Sequence, residues 1–350
     1  MNDDGRRSPF RHGAAALRLF PCLSSVPMAT TTPSRLDRIR LGVSACLLGE
    51  EVRFDGGHKH DRFLTDVLGR HVEWVPVCPE VELGLGVPRD TLRLVGTADA
   101  PRLMQEKTGE DLTARMQRYS RDRVRELAAL ELDGYVLKRA SPSCGLLRVR
   151  VYRDNGVPAA DGRGLFAGAL VTALPALPVE EEGRLNDPAL RENFIERVFV
   201  AARWRSFLKT RPRARDLVAF HTAHKFAVLA HSPAHYARLG RLVAAAGRAF
   251  THAPLDEYQA LLMEGHAVRA TRGRHANVLT HMTGYFKREL GTDERAELVE
   301  VIDEYRRGLV PLVVPLTLVK HHVRRLGVRY LADQVYLNPH PKEFMLRNHV

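Results

Sequence analysis

The sequence predicts an α/β domain with a largely parallel sheet, followed by an all-α domain. In the first half of the chain, short apolar runs alternate with segments of helical period, which is typical of strands joined by helices. From about residue 187 only helical period remains, with little β-branched alternation. A length of 350 residues also suits two domains of roughly 100–200 residues each.

The elements of the α/β domain follow from these patterns in order. Apolar, β-branched runs bounded by turn residues predict strands at 39–44, 72–77 and 134–137. A further run at 148–152 with Asp154-Asn155-Gly156 predicts a hairpin. Helical spacing predicts helices at 61–68, 111–132 and 165–174. We expect this domain to span 39–180 and to be joined to the next by the Pro- and Glu-rich stretch 174–184.

The all-α domain is expected to span 187–350. Segments of helical period predict its helices at 187–208, 212–230, 233–248, 254–268, 271–290, 293–307 and 315–326. Residues 1–38 show no period and are rich in Arg, Ser, Thr, Pro and Ala, so we expect a disordered extension. Translation starting at Met28 is an alternative, and Cys22 is expected to be incidental.

Composition narrows the class of protein. The chain is 45% hydrophobic and 27% charged, as in soluble globular proteins. No stretch approaches the roughly 20 apolar residues that span a membrane. Four cysteines in 350 residues are too few for a secreted disulfide scaffold, so we expect a reducing, cytoplasmic location with thiols kept for chemistry or packing.

The positive charge is concentrated in the helical part. Of the net +12, residues 203–350 contribute 24 basic and 13 acidic side chains, whereas residues 39–202 carry 23 and 25. Clustered Lys and Arg favour a polyanion such as nucleic acid, although a solvated basic surface gives the same pattern. The candidates for phosphate contacts are Lys225, Arg272, Arg274, Lys320 and Arg324.

Three cysteines fall at matching places in the α/β pattern. Cys46 follows the first predicted strand, Cys78 ends the second, and Cys144 follows the third, each in a loop containing Gly or Pro. Ligands of open α/β sheets bind at the carboxyl ends of strands, so the three thiols are expected to share one pocket. They suit zinc with a water, or a [4Fe–4S] cluster with one iron lacking a protein ligand. Packing as small buried hydrophobes is the alternative.

Pairs of histidines on predicted helices are a second candidate for metal binding. His221 and His224, like His231 and His235, lie on one helical face, which is a spacing that can bind a metal. No acidic third ligand accompanies them nearby in the sequence, so we expect packing or phosphate contact instead.

Several short motifs resemble known families. The strings SACLLG at 44–49, VRFDG at 52–56, VCPE at 77–80, Pro88-Arg89 and KRASPSCG at 138–145 resemble the thiouracil desulfurase (TudS) family over about residues 38–178. The rest resembles the YbgA-type helical domain, through FHTAHKF at 220–226, KHH at 320–322 and YLNPHPKE with RNHV at the end. The joined architecture is similar to the tRNA 4-thiouridine desulfidases (RudS).

The resemblance implies a chemistry and a set of residues. It implies a [4Fe–4S] cluster on Cys46, Cys78 and Cys144, and water replacing the sulfur of 4-thiouridine in tRNA. Carried over by motif, Glu80 is the expected acid/base and Ser141 a positioning residue. The same motifs add Asp55, Lys138 and Ser143 as candidates for substrate binding. Phe54 stands where the family usually has Tyr, which removes one hydroxyl.

The implied reaction is a hydrolysis that releases hydrosulfide. Glu80 would take a proton from the attacking water, and no nicotinamide, flavin or other reductant is needed. Three rival functions stay open. They are a free-base thiouracil desulfurase, a non-catalytic metal-dependent nucleic-acid binder such as a redox sensor, and a zinc hydrolase.

Overall fold

The computed structural model describes residues 38–246 and 253–349, which lie within one compact unit. The predicted extension, apart from Arg38, lies outside the described residues, as do Cys22 and Met28. No helix among the described residues is long and apolar enough to cross a membrane.

The α/β part contains two four-stranded sheets. Sheet A has the order β2-β1-β5-β8 with every neighbouring pair parallel, and sheet B has the order β4-β3-β6-β7. In sheet B, β3 and β6 are parallel, while the outer pairs are antiparallel hairpins. The strands are β1 Ile39–Ser44, β2 Val72–Val77, β3 Leu92–Gly96, β4 Pro101–Gln105, β5 Gly134–Leu137, β6 Val149–Tyr152, β7 Pro158–Gly162 and β8 Val179–Glu181.

The helical part begins at residue 188. Helices α1 to α3 belong to the α/β part, and α4 to α11 form the rest of the described chain. The helices are α1 Pro79–Glu82, α2 Thr113–Ala129, α3 Leu165–Ala173, α4 Pro188–Lys209, α5 Ala214–His231, α6 Pro233–Ala246, α7 Ala253–Ala267, α8 Arg272–Thr283, α9 Thr292–Arg307, α10 Val313–Arg325 and α11 Arg329–Ala332. The predicted fold class is therefore confirmed.

Helix α4 shows why the two parts form one unit. Its start is fixed by Asp187, whose side chain accepts hydrogen bonds from the N–H groups of Ala189 and Leu190 at 2.9 and 3.0 Å. Its first turns pack Phe194 and Val198 against β1, whereas its last turns belong to the core of α5 to α7. Burying each large apolar side chain stabilises the fold by roughly 1.5–3 kcal/mol, so both parts depend on this helix.

Three sequence predictions are corrected by the fold. The predicted helix at 61–68 is a short π-helix at Phe63–Val67 followed by a 3-10 turn at Leu68–Arg70. The predicted helix at 271–290 ends at Thr283, where Gly284 begins a series of turns. The stretch read only as a linker contains β8, because its backbone pairs with β5 in sheet A.

Candidate active site

The three cysteines lie together at one edge of sheet A. Cys46 is in the 3-10 turn that follows β1, Cys78 is the N-cap of α1 directly after β2, and Cys144 is in the loop after β5. Because β1 has β2 and β5 as its parallel neighbours, their carboxyl ends meet at this edge. All three cysteines line one cavity of about 260 Å³.

Burial and proximity dominate the electrostatics of the thiols. Burial, with a smaller contribution from Cys78, raises the pKa of Cys46 to about 11. Burial also raises the pKa of Cys144 well above its usual value, while a hydrogen bond from Ser44 acts in the opposite direction. The pKa of Cys78 is raised by burial as well. Thiols in this state must lose protons when they bind a metal, so metal binding here releases protons.

Close backbone packing shapes the loop that carries Cys144. A Cβ on Gly164 would lie 2.4 Å from the carbonyl oxygen of Ser143, so only glycine allows this approach. Within the loop, Ser141 Oγ accepts hydrogen bonds from the N–H groups of Ser143 and Cys144 at 3.2 and 3.0 Å. Ser141 therefore holds the turn that presents the Cys144 thiol.

Glu80 is clamped by two side chains beside the thiols. The Arg89 guanidinium donates to Glu80 Oε2 from Nε at 3.0 Å and from Nη2 at 2.7 Å, and Ser143 Oγ donates to Oε1 at 2.9 Å. Arg89 itself is fixed by carbonyl oxygens of Gly86 and Val52. The carboxylate is thus oriented from both ends and lines the cavity of the cysteines.

Glu82 takes a different role from Glu80. Its carboxylate accepts hydrogen bonds from the backbone N–H of Cys78 at 3.2 Å and from the Tyr119 hydroxyl at 2.6 Å, and it pairs with Arg123 at 3.0 Å. It does not line the cavity of the thiols.

The predicted substrate-binding residues do not all line the cavity of the thiols. Lys138 lines the cavity and its ammonium pairs with Glu182 at 2.5 Å. Ser143 is fully buried and acts through its contact with Glu80. Asp55 is exposed, accepts a hydrogen bond from the N–H of Gly57 at 3.2 Å and does not line the cavity. Phe54 does line it, with the Arg53 guanidinium 5.2 Å from the ring centroid.

Sequence reasoning missed four residues around this cavity. Arg89 and Ser44 were both present in matching motifs, but neither was given a role. The positive charge of Arg53 opposes the rise in the pKa of Cys46, and Glu182 pairs with Lys138. Glu182 follows β8, and only recognition of that three-residue strand would have placed it here.

The donor set fits an iron–sulfur cluster. Three thiols from three separate loops line one cavity. In the described part of the chain, no group of three or more His, Cys, Asp or Glu side chains is arranged around a single metal ion. In an iron–sulfur cluster each thiolate ligates a different iron. Soft thiolates are also the ligands that such clusters use.

The predicted phosphate-binding residues do not form one surface. Lys320 and Arg324 line a cavity of about 460 Å³ together with Lys342 and His340. Burial and nearby cations lower the pKa of Lys320 to about 8. The three other candidates lie elsewhere.

Those other candidates differ in what their side chains contact. Arg272 is exposed at the start of α8. Arg274 donates to the carbonyl oxygen of His231 at 2.6 Å, which is a structural contact. The Lys225 ammonium lies 5.2 and 5.0 Å from the rings of Phe226 and Tyr330, so it is already held by cation–π contacts.

Two of the paired histidines have an acidic partner that is distant from them in the sequence. His231 Nε2 lies 3.0 Å from Glu196 Oε2, and His235 Nε2 lies 3.5 Å from Glu264 Oε2. Glu196 and Glu264 lie about 30 residues away along the chain, so tertiary packing of α4 and α7 brings them in. His224 is buried and its Nδ1 contacts the carbonyl oxygen of Phe220, which is a packing role.

Comparisons with known proteins agree with this architecture. Residues 41–182 match the family model described as 2-thiouracil desulfurase, and residues 225–341 match the one described as protein of unknown function DUF1722. The uncharacterized protein YbgA of Escherichia coli (strain K12) is 33% identical over 138 residues, which cover 38% of this chain and 79% of that protein. A solved structure of a [4Fe-4S]-dependent thiouracil desulfidase, TudS, is 32% identical, covers 44% of this chain and 97% of its own, and has a TM-score of 0.36. Both resemblances read from the motifs are confirmed.

Proposed function

The chain belongs to the family that joins a 2-thiouracil desulfurase domain to a YbgA-type helical domain, and on that premise we propose that it removes sulfur from 4-thiouridine in tRNA. The products are uridine and hydrosulfide. The observation that carries this proposal is the meeting of three thiols and one clamped carboxylate in a single cavity of about 260 Å³.

The proposed cofactor is a [4Fe–4S] cluster held by Cys46, Cys78 and Cys144. The similar protein TudS is named as [4Fe-4S]-dependent, and the donor set of this chain fits such a cluster. When bound, an iron without a protein ligand supplies a thiophilic Lewis acid beside the substrate sulfur.

The carboxylate of Glu80 is proposed to activate the attacking water. Oε2 carries both hydrogen bonds from Arg89, whereas Oε1 carries one from Ser143 and keeps a second lone pair. Oε1 is therefore the atom that can accept a proton while the carboxylate keeps its orientation. Lys138, held by Glu182, adds a positive charge on the wall of the cavity that favours developing negative charge on the substrate.

The proposed reaction balances without electron transfer. Water supplies the oxygen that replaces sulfur on the pyrimidine carbon, and the sulfur leaves as hydrosulfide. The carbon keeps its oxidation state, so no nicotinamide, flavin or other reductant enters.

A polynucleotide substrate is supported by charge and by the depth of the site. Residues 203–350 carry 24 basic against 13 acidic side chains, and Lys320, Arg324 and Lys342 line one cavity. A base within folded tRNA must be unstacked to reach buried thiols, which costs a few kcal/mol that phosphate contacts can offset. We place this activity in the cytoplasm, where the thiols remain reduced.

The decisive experiment combines composition with turnover. Protein purified without oxygen is expected to contain about four iron and four sulfide per chain, to absorb broadly in the visible range, and to convert thiolated tRNA to uridine-containing tRNA with release of sulfide. Zinc in a colourless protein would favour the zinc hydrolase. Turnover of free thiouracil with none of tRNA would favour the free-base enzyme, and a clustered protein inert to both would favour the binding protein.

A further inference from the structure

A second cavity opens directly beside the active site. It has a volume of about 860 Å³, against about 260 Å³ for the cavity of the thiols. The two cavities share Leu92, Arg139, Ala140 and Pro142, so they are adjacent. Residues of strands β3 and β6 of sheet B line the second cavity.

Two arginines stand side by side in this cavity. Strands β3 and β6 are parallel, with Leu94 opposite Val151 and Val95 opposite Tyr152. Continuing this register by one position brings Arg93 next to Arg150, and both line the cavity. Both are exposed, and neither guanidinium has an ion-pair partner among the described residues. Like charges close together on one face of a sheet repel each other, and an anion between them relieves that repulsion.

More arginines continue the charge toward the active site. Arg139 and Arg148 are exposed, line the same cavity and likewise lack an ion-pair partner in the described part of the chain. Arg148 has a φ of 53°, a left-handed conformation that non-glycine residues rarely adopt and that often marks a functional position. Arg184, also lining the cavity, is neutralised by Glu180 at 2.7 Å.

The acidic side chains of this cavity are already engaged. Glu181 is buried and accepts hydrogen bonds from the N–H groups of Leu146 and Leu147 at 2.8 and 3.1 Å. Glu106 accepts a hydrogen bond from the Thr91 hydroxyl at 2.5 Å. Four unpaired arginines therefore face two carboxylates, which leaves a local positive excess although residues 39–202 carry 23 basic and 25 acidic side chains.

Resting on the proposed function, we infer that this groove binds the sugar–phosphate backbone of the nucleotides that flank the thiolated base. Arginine forks match phosphate oxygens in two-point contacts. Tyr152, whose ring lies 5.4 Å from the Arg93 guanidinium, offers a stacking face for a neighbouring base. The desulfurase part thus holds the strand at the point of reaction, whatever the helical part binds.

The test compares two pairs of substitutions with equal change in charge. The groove variant is Arg93→Gln with Arg150→Gln, and the control is Arg118→Gln with Arg121→Gln, two exposed arginines on α2 that do not line the groove. With unmodified tRNA as the probe, the groove variant is expected to bind at least roughly tenfold more weakly at about 0.1 M salt. Its slope of log affinity against log salt should fall by about two relative to the control.

Turnover separates this inference from the proposed function. The groove variant should raise KM for thiolated tRNA while free thiouracil turnover stays within about twofold of the control. Two results would overturn the inference that the groove binds the backbone. One is a slope of log affinity against log salt equal to that of the control pair, and the other is a wild-type protein that does not bind tRNA. If the wild-type protein desulfurises neither substrate, the proposed function fails. The salt dependence of tRNA binding still tests whether the groove binds the backbone. Circular dichroism checks folding, and the single variant Arg150→Gln, expected to lower the slope by about one, replaces a pair that does not fold.

Discussion

The two parts of the chain use their polar side chains in opposite ways. In the α/β part, three thiols and Glu80 converge on an open cavity, where each keeps an atom that a ligand can reach. In the helical part, Arg347 pairs with two glutamates of α4 in the interior. Arg347 Nη2 pairs with Glu196 at 2.5 Å and its backbone N–H donates to Glu192 at 3.1 Å. A sequence motif shared with relatives can therefore mark a reactive site in one part of the chain and a packing contact in another.

The buried network explains why the last residues of the chain carry a recognisable pattern. Arg347 is 6% exposed and Glu196 is 5% exposed, so each charge depends on the other for stabilisation. Arg347 Nη1 also donates to the carbonyl oxygen of Tyr336 at 2.7 Å. The network thus ties the C-terminal segment to α4, the helix on which both parts pack.

Removing a thiol of the α/β part should have the largest effect on activity and little effect on folding. Cys78→Ala is expected to lower desulfurase activity at least roughly 1,000-fold, because the metal centre supplies the Lewis acid. Iron per chain should fall with it, while the far-ultraviolet circular dichroism stays native. Cys22→Ser serves as the control. A Cys78→Ala protein with full iron content would show that this thiol is a packing residue.

Replacing the clamped carboxylate tests the second half of the site. Glu80→Gln keeps the shape of the side chain but removes the proton acceptor, so kcat should fall by roughly 10²–10⁴ with iron content unchanged. The exposed Glu51→Gln is the matched control. Equal turnover in both variants would leave Glu80 with a structural role only.

The helical network should respond in stability instead of chemistry. Arg347→Ala leaves Glu196 and Glu192 buried without their partner, and we expect a loss of about 3–5 kcal/mol in the free energy of unfolding. Denaturant titration measures it, with the exposed Glu297→Gln as a control. A loss below about 1 kcal/mol would contradict the idea that this network holds the C-terminal segment.

Acid should weaken the helical part through its buried histidines. Burial lowers the pKa of His224, His266 and His275 to about 3, below the value near 6.5 expected in the unfolded chain. As the pH falls below about 6.5, the unfolded state therefore binds protons that the folded state does not, and stability falls.

One carboxylate opposes this trend. Burial raises the pKa of Glu192 to about 7, so the folded state takes up one proton between pH 7 and about 4.5. Because the buried histidines with a lowered pKa outnumber this carboxylate, stability should still fall as the pH decreases from 7 to 5. Thermal unfolding between pH 7 and 5 measures this, and a constant melting temperature over that range would contradict it.

The local sequence was enough to predict the elements that have a clear pattern of apolar residues and turn residues. The predicted strands at 39–44, 72–77 and 134–137 agree with β1, β2 and β5 residue for residue, because each is an apolar run bounded by turn residues. The order of these strands and the cysteine after each were then enough to predict a shared pocket. Helix α9 likewise begins and ends within a residue of its prediction, between Gly291 and the left-handed Gly308.

Tertiary structure alone decided which polar groups meet. Strand β8 is three residues long and contains two buried glutamates, so no apolar pattern announces it. The contact of Arg347 with Glu196 spans 151 positions, and the neighbouring of Arg93 and Arg150 depends on strand register. Periodicity records only whether a residue faces the core or solvent. Which polar group lies beside it can depend on an element distant in sequence, as in the contact of Ser143 with Glu80 and in the arginine groove.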